Sequence, residues 1–210
     1  RSARLTNESD DVEQVDRLMS TQIDMRMYKE YDMIHFGGAW AREMHRSVHP
    51  VRQGRVSVSS FTGTSGSRAN PFFMVAEHGS SEEHGECYGF NLIYSGDHME
   101  SCEQNSYGRI RIISGLNPEG FTFVLEPGMS LQSPEAVMTY SDTGFGGVSS
   151  RMHAFVRRHI VRGLWADKER PVLLNSWEAA YFDINEKKLL KLAKEAKKCG
   201  IELFVMDDGW

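Results

Sequence analysis

The sequence is poor in the features that staple a chain, anchor it in lipid or draw it to a polyanion. Cysteine occurs three times in 210 residues, at Cys87, Cys102 and Cys199. So few, in odd number and widely spaced, they exclude a disulfide framework and fit a reducing, cytoplasmic setting. No apolar run approaches the roughly 18 residues of a membrane span. The first residues, "RSARLTNESDDVEQVDRL", lack the charged start and apolar stretch of a secretory leader, and they begin on Arg rather than Met. There is no excess of positive charge; the net charge is -5, which speaks against nucleic acid or an anionic membrane surface as partner. Internal repeats and low-complexity tracts are absent. Hydrophobic residues make up 40% and charged residues 25%, an ordinary globular balance that suits a neutral or polar ligand.

Two textures are present. From Met25 to about Val161 the sequence reads as short β segments punctuated by glycine: "RVSVSSF", "PFFMVAE", "CYGFNLIYSG", "GRIRIISGL" and "GFTFVLEPG", separated by "SGD", "NPEG" and "EPG" turns. Many short strands at such spacing predict an antiparallel sandwich or a related sheet system. The texture changes within Ser149 to Pro171. Beyond it, "PVLL" and "IELFVM" are continuous apolar runs, as expected of parallel strands buried on both faces. Between them the pattern predicts a helix. Asp183 caps it with Glu186 three residues on, Leu189, Leu190, Leu192, Ala193, Ala196 and Cys199 follow at helical spacing, and Gly200 takes the left-handed C-terminal position. This is one β-α-β unit. Two strands and a helix cannot close a sheet, so the expected continuation lies beyond Trp210.

In parallel α/β folds, ligands meet the C-terminal ends of the strands. The first strand ends in "NSWEA", presenting Asn175, Trp177 and Glu178; the second ends in "DDGW", presenting Asp207, Asp208 and Trp210. A carboxylate pair accepts hydrogen bonds from nearby hydroxyls and an indole offers a flat face to C–H groups, a combination suited to a sugar. The spacing alone leaves a plainer reading open, in which strand-end acids cap helices or form turns and one of the pair faces away from any pocket.

These residues carry a resemblance. The stretch "RPVLLNSWEAAYFDINEKKLLKLAKEAKKCGIELFVMDDGW" resembles the first β-α-β unit of the catalytic barrel of α-galactosidases of glycoside hydrolase family 36. "FGGAWAREMHRSVHPVRQGRVSVSSFTGTSGSRANPFFMV" and "MHAFVRRHIVRG" are similar to that family's N-terminal β-supersandwich. The fold so implied is a β plus α/β arrangement, with an antiparallel β-supersandwich over 1–165 and the start of a truncated (β/α)8 TIM barrel over 166–210. The resemblance further implies hydrolysis of terminal α-galactosyl residues of melibiose- and raffinose-type sugars, by a retaining double displacement in which two carboxyl groups about 5 Å apart act as nucleophile and acid/base. It implies no metal or organic cofactor, and a parent enzyme that is a homotetramer or other homo-oligomer. Asp207 and Asp208 match the pair that binds the 4- and 6-hydroxyls of galactose, and Trp177 lines the same pocket; Asn175, Glu178 and Trp210 are expected to support them. Adjacent residues of one strand cannot straddle a glycosidic bond, so these acids are expected to bind rather than to cleave, and the catalytic aspartates to fall after Trp210. The same architecture hosts α-N-acetylgalactosaminidases and galactosyl-transferring synthases of the raffinose and stachyose type, and a non-catalytic carbohydrate-binding sandwich would account for the first part alone.

Other patterns attract plainer readings. His84, Cys87, His98 and Cys102 loosely mimic zinc spacing, but Cys87 opens an apolar strand and acidic loops crowd both pairs, so no metal is expected. "KKLLKLAKEAKK" is an amphipathic helix with solvated lysines. "TGTSGSRANP" reads as a surface turn, while the family resemblance implies that this loop, with Arg68 and Asn70, approaches a neighbouring subunit's active site. Trp40 and His153 read as candidates for the sandwich core and are assigned no function.

Overall fold

A computed structural model describes residues 1–209. The chain forms two compact units, Arg1–Ala154 and Phe155–Trp210. The first runs through β1 (Arg4–Thr6), β2 (Glu13–Val15), β3 (Met19–Arg26), β4 (Tyr31–Ala39), β5 (Arg42–Pro50), β6 (Gly54–Ser59), β7 (Ala69–Glu77), β8 (Cys87–Ile93), β9 (His98–Gln104), β10 (Arg109–Leu116), β11 (Phe123–Leu125), β12 (Ser130–Gln132) and β13 (Glu135–Ser141), then helix α1 (Gly144–Phe155), whose last residue opens the second unit. The strands pair antiparallel in a four-stranded sheet β3-β10-β9-β6, a five-stranded sheet β13-β8-β7-β4-β5, and two short ribbons, β1-β12 and β2-β11. The antiparallel β-sandwich read from the strand spacing is the fold of this unit.

Alternation along the strands decides what faces what. Tyr31 and Met33 of β4, Phe73 and Val75 of β7 and Phe90 of β8 point toward the four-stranded sheet, where they meet Cys102, Ile110 and Ile112. The intervening residues Ile34, Met74, Ala76 and Cys87 point the other way and are covered by Phe145, Val148 and Met152 of α1. The five-stranded sheet is therefore buried on both faces. Its outer strand β5 is an exception: "REMHRSVHP" is almost wholly exposed, and its charges guard an open sheet edge.

The sequence reading extends β segments to Val161, but Gly144–Phe155 is helical and continues into a π-helical stretch, Val156–Ile160. Glycines at 144, 146 and 147 argue against a helix on propensity. They are needed because the helix starts against the β7–β8 loop. A Cβ on Gly144 would lie 2.3 Å from the Ser81 carbonyl oxygen, one on Gly146 2.8 Å from that of Glu82, and one on Gly147 2.1 Å from Ser141 Oγ. In return, the first helical amides find acceptors, Phe145 N at Ser81 O (2.8 Å) and Gly146 N at Glu82 O (2.9 Å). Close approach here overrides propensity.

One polar pair lies inside the sandwich. His98 and Glu100, two apart on β9 and on the same face, have fully buried side chains; His98 Nδ1 is 2.7 Å from Glu100 Oε2 and His98 Nε2 3.1 Å from the Ala69 carbonyl. Both ring nitrogens face acceptors, the environment of an imidazolium. Burial alone would lower the His98 pKa, but the hydrogen bond to Glu100 and the charge of that carboxylate outweigh it and raise the value above 6.5. Burial raises Glu100 in turn, so the pair holds its proton as pH climbs.

The second unit contains β14 (Leu173–Asn175), α2 (Trp177–Ala180), α3 (Glu186–Lys198) and β15 (Leu203–Val205). β14 and β15 pair in parallel, Leu173 opposite Leu203 and Asn175 opposite Val205, which makes this the expected β-α-β unit. Two expectations fail in detail. The N-cap of α3 is Asn185, whose Oδ1 accepts from Lys188 N at 3.0 Å. Asp183 instead pairs with the Lys188 ammonium, because extended backbone at Asn185 starts the helix two residues later. The strands are also not buried on both faces: Val172, Leu173 and Leu203 are 57%, 49% and 41% exposed, since the helices of this unit leave them open. The C-terminus of α3 follows expectation, with Gly200 at φ +82° and a Schellman pair, Ile201 N to Ala196 O (3.1 Å) and Gly200 N to Lys197 O (3.2 Å). Among the described residues, no helix is long and apolar enough to cross a membrane.

Two stability predictions follow from this packing. A Cβ on Gly89 would sit 2.6 Å from Val148 Cγ1, so Gly89→Ala should cost about 1–3 kcal/mol in denaturant melts, with part recovered in the Gly89→Ala/Val148→Ala double variant. For the buried pair, a raised folded pKa means that stability is full below the unfolded value of 6.5 and is lost as pH rises through the folded value. Melts between pH 6 and 9 should show that loss, and His98→Leu/Glu100→Leu should flatten it, whereas Glu100→Ala alone should cost about 1–3 kcal/mol by leaving the buried His98 Nδ1 without its partner.

Candidate functional site

The polar end of the second unit is built where β14 and β15 finish side by side. After Asn175 the chain makes one more ladder bond, Ser176 N to Val205 O at 2.9 Å, and turns into α2. Asn175 sends its side chain both ways: Nδ2 donates to Asp207 Oδ2 at 2.5 Å, and Oδ1 accepts from Trp177 N at 2.7 Å. Buried Ser176 accepts the Asp207 backbone N–H on its Oγ at 3.2 Å. The Asp208 N–H donates to Asp207 Oδ1 at 2.7 Å, and Gly209 N–H to Asp208 Oδ1 at 2.8 Å.

The two acids are thereby made unlike. Asp207 is half-buried and each of its oxygens holds one protein donor. The Asp208 N–H, with the Asn175 amide behind it, keeps this carboxyl below the usual 3.8. A carboxylate oxygen has room for two donors, so one acceptor position remains on each. Asp208 is exposed and has given one oxygen to the Gly209 amide. The tip is thus a short row of carboxyl acceptors.

Beside it stands an aromatic cluster. The Trp177 indole meets Tyr181 at 5.2 Å and Phe182 at 5.1 Å between ring centroids, both edge-on, the orientation the ring quadrupoles favour. Glu178 is exposed and accepts from the Tyr181 hydroxyl at 3.0 Å. Tyr181 has φ +46° and ψ -125°, a backbone conformation rare outside glycine and costing on the order of 1–3 kcal/mol. Gly209, at φ +108°, lies under that turn, and a Cβ there would sit 2.6 Å from the Tyr181 carbonyl oxygen.

Of the residues read from sequence, Asn175, Trp177, Glu178, Asp207 and Asp208 gather at this one end of the second unit, while Trp210 lies outside the described residues. Gly209 lies beneath the Tyr181 turn, and Ser176, Tyr181 and Phe182 complete the site without having been singled out; for the two aromatics the signal was the "YFD" that follows the indole. Arg68 and Asn70 belong to the first unit. There Arg68 is exposed, and Asn70 accepts the Phe72 N–H at 2.9 Å with its Nδ2 3.5 Å from Met44 Sδ. The His/Cys set does not converge: His84 is exposed on Ser81 Oγ at 2.7 Å, Cys87 packs on the α1 side of the sheet, and His98 and Cys102 lie inside the sandwich. Trp40 and His153 are not core residues; Trp40, in the β4–β5 turn, is 92% exposed, and His153 lies on the outer side of α1.

By themselves the fold and the tip define a class: a β-sandwich followed by the opening of a parallel α/β domain whose strand ends carry acids beside aromatic rings. The comparisons narrow it. The glycosyl hydrolase family 36 N-terminal domain matches residues 1–126 and the melibiase domain residues 130–210. The chain belongs to glycosyl hydrolase family 36. It is 41% identical over its whole length to the α-galactosidase AgaA of Geobacillus stearothermophilus, of which it spans 29%. The crystal structure of that enzyme superposes with a TM-score of 0.95 over 99% of this chain, at 40% identity and again 29% of the other. An α-galactosidase from Lactobacillus brevis superposes with a TM-score of 0.95 at 42% identity, over 99% of this chain and 28% of its own. Variants of AgaA have been crystallised with stachyose and with raffinose. Relatives of this family are α-galactosidases, and the sandwich and β-α-β unit are the N-terminal sandwich and barrel start of their fold.

Because the Tyr181 turn rests on Gly209, Gly209→Ala should disturb it. Amide exchange at residues 181–183 should quicken by about ten-fold or more, consistent with 1–3 kcal/mol of local strain, with tryptophan fluorescence shifting as Trp177 loses its edge contacts.

Proposed function

We propose that this segment serves an α-galactosidase, and that the end of β14 and β15 is the part of its active site that grips the galactosyl ring. Asp207 and Asp208 receive hydroxyl groups on their open acceptor positions, Trp177 lies against the C–H face of the ring, and Asn175, Glu178 and Trp210 support them. The observation that carries this reading is the asymmetric pair itself: two adjacent acids, one half-buried and fixed by two donors, one exposed, next to an edge-braced indole. Such an array binds hydroxyls well. It does not cleave a glycosidic bond, because a retaining mechanism sets its two carboxyl groups on opposite sides of the scissile bond. Nucleophile and acid/base therefore come from chain outside residues 1–210, and the enzyme works on raffinose- and melibiose-type sugars without metal or organic cofactor. Identity to AgaA over the whole chain and the raffinose and stachyose complexes of its variants support the substrate class. In a homo-oligomer, the loop with Arg68 and Asn70 meets a neighbouring copy's site.

The complete enzyme should release an aryl leaving group from an α-galactoside much faster than from an α-N-acetylgalactosaminide. Asp208→Asn should lower kcat/KM for the galactoside by about 10- to 100-fold, the worth of a hydrogen bond to a charged group. The polypeptide 1–210 alone should turn over neither substrate. Preference for the acetamido sugar, or turnover by residues 1–210, would overturn the assignment, and an Arg68→Ala variant unchanged in activity and assembly would remove the loop from it.

A further inference from the structure

The Asn175 side chain bonds to both halves of the proposed site. Its Nδ2 donates to Asp207 Oδ2 at 2.5 Å across the strand pair, while its Oδ1 takes the backbone N–H of Trp177 at 2.7 Å. Amide nitrogen and oxygen are thus both committed, and in opposite directions, so the planar group fixes the carboxylate of one strand tip against the residue that carries the indole on the other. Asp207 would otherwise be held by the Asp208 N–H on Oδ1 alone, leaving its plane free to turn about one contact. The Ser176 N–H does not stand in for the Asn175 amide, because the strand ladder already uses it on Val205 O. We infer that Asn175 is a positioning residue for sugar recognition: the N–H it gives to Asp207 sets which acceptor positions of that carboxylate face the ligand. The inference rests on the galactose-binding reading of the tip. Asn175 touches no substrate in this scheme and acts through Asp207.

Donation of a proton, rather than bulk or polarity at position 175, is what the scheme requires, and this can be tested. Asn175→Asp keeps the acceptor for the Trp177 N–H and puts a second carboxyl against Asp207. Two carboxyls at hydrogen-bonding distance share a proton, which they hold to a higher pH than either alone. While that proton is present, the introduced carboxyl donates to Asp207 as the amide does; once it is lost, the two repel. The other ionisable groups on the elements meeting there are Asp208 on the β15 tip, and Glu178 and Tyr181 at α2; they are common to all variants.

The measurement is the inhibition constant of D-galactose, an uncharged ligand, against aryl α-galactoside turnover by the complete enzyme between pH 4.5 and 7.5. Each variant is expressed relative to the unsubstituted enzyme at the same pH. Asn175→Ala should weaken galactose by about ten-fold or more at every pH. Asn175→Asp should approach the unsubstituted enzyme at the acid end and weaken by a comparable factor as pH rises. Galactose affinity unchanged in both variants would overturn the inference, and so would equal weakening of both at all pH, which is the outcome of a merely structural role. Asp208→Asn, run alongside, separates the two levels. If it weakens galactose while the Asn175 variants do not, only the positioning role fails; if it has no effect, the galactose-binding reading fails and this inference falls with it.

Discussion

A sheet with apolar residues on both faces must be covered twice, and the first unit is organised by that requirement. On β7 and β8, odd-numbered Phe73 and Val75 and even-numbered Phe90 serve the sandwich, while Met74, Ala76 and Cys87 serve α1. One cover is a second sheet and the other a helix. The helix can lie close only because glycines at 89, 144, 146 and 147 leave out a Cβ at the contact. Each missing methyl lowers local propensity and is offset by apolar area removed from water. The His98–Glu100 pair is fully buried between the sheets, and it is admitted there with both ring nitrogens and both carboxylate oxygens facing a partner.

What could be read from sequence divides along the same line. Strands with a strong apolar pattern, β6, β7, β8 and β10, stand out from alternation or from runs, because the pattern and the burial are the same thing. Three kinds of element did not. β5 has no apolar side to show, since it lies at an exposed edge. β1 and β2 are three-residue ribbons whose partners are far along the chain. α1 is hidden by glycines that its packing demands. In the second unit, helix and strands were legible, but the cap at Asn185 was not: Asp183 and Asn185 are both good caps, and the choice fell to backbone conformation rather than residue type.

The strand-tip residues were legible for a different reason. Asp207, Asp208 and Trp177 stand out because two acids and an indole follow otherwise apolar strand runs. Their division of labour was not legible, because it depends on which donor reaches which oxygen. Nor was the Tyr181 turn, whose need for glycine at 209 arises only when the two are laid together. Adjacency in sequence made the two acids look like a matched pair. Hydrogen bonding makes one a fixed fitting and the other an open contact.

The pairing of β1 with β12, Arg4 opposite Gln132, has a consequence for how the chain comes into being. β14 and β15 are joined by α2 and α3 alone and can find each other locally, but the β1–β12 ribbon closes a loop that holds nearly all of the sandwich. Contacts so distant along the chain form late and slow folding. On the ribosome, β1 therefore emerges well before its partner exists, and an unpaired strand must wait while most of the domain is made. The charged and polar character of that segment, from Arg4 to Asp16, keeps it soluble through the wait.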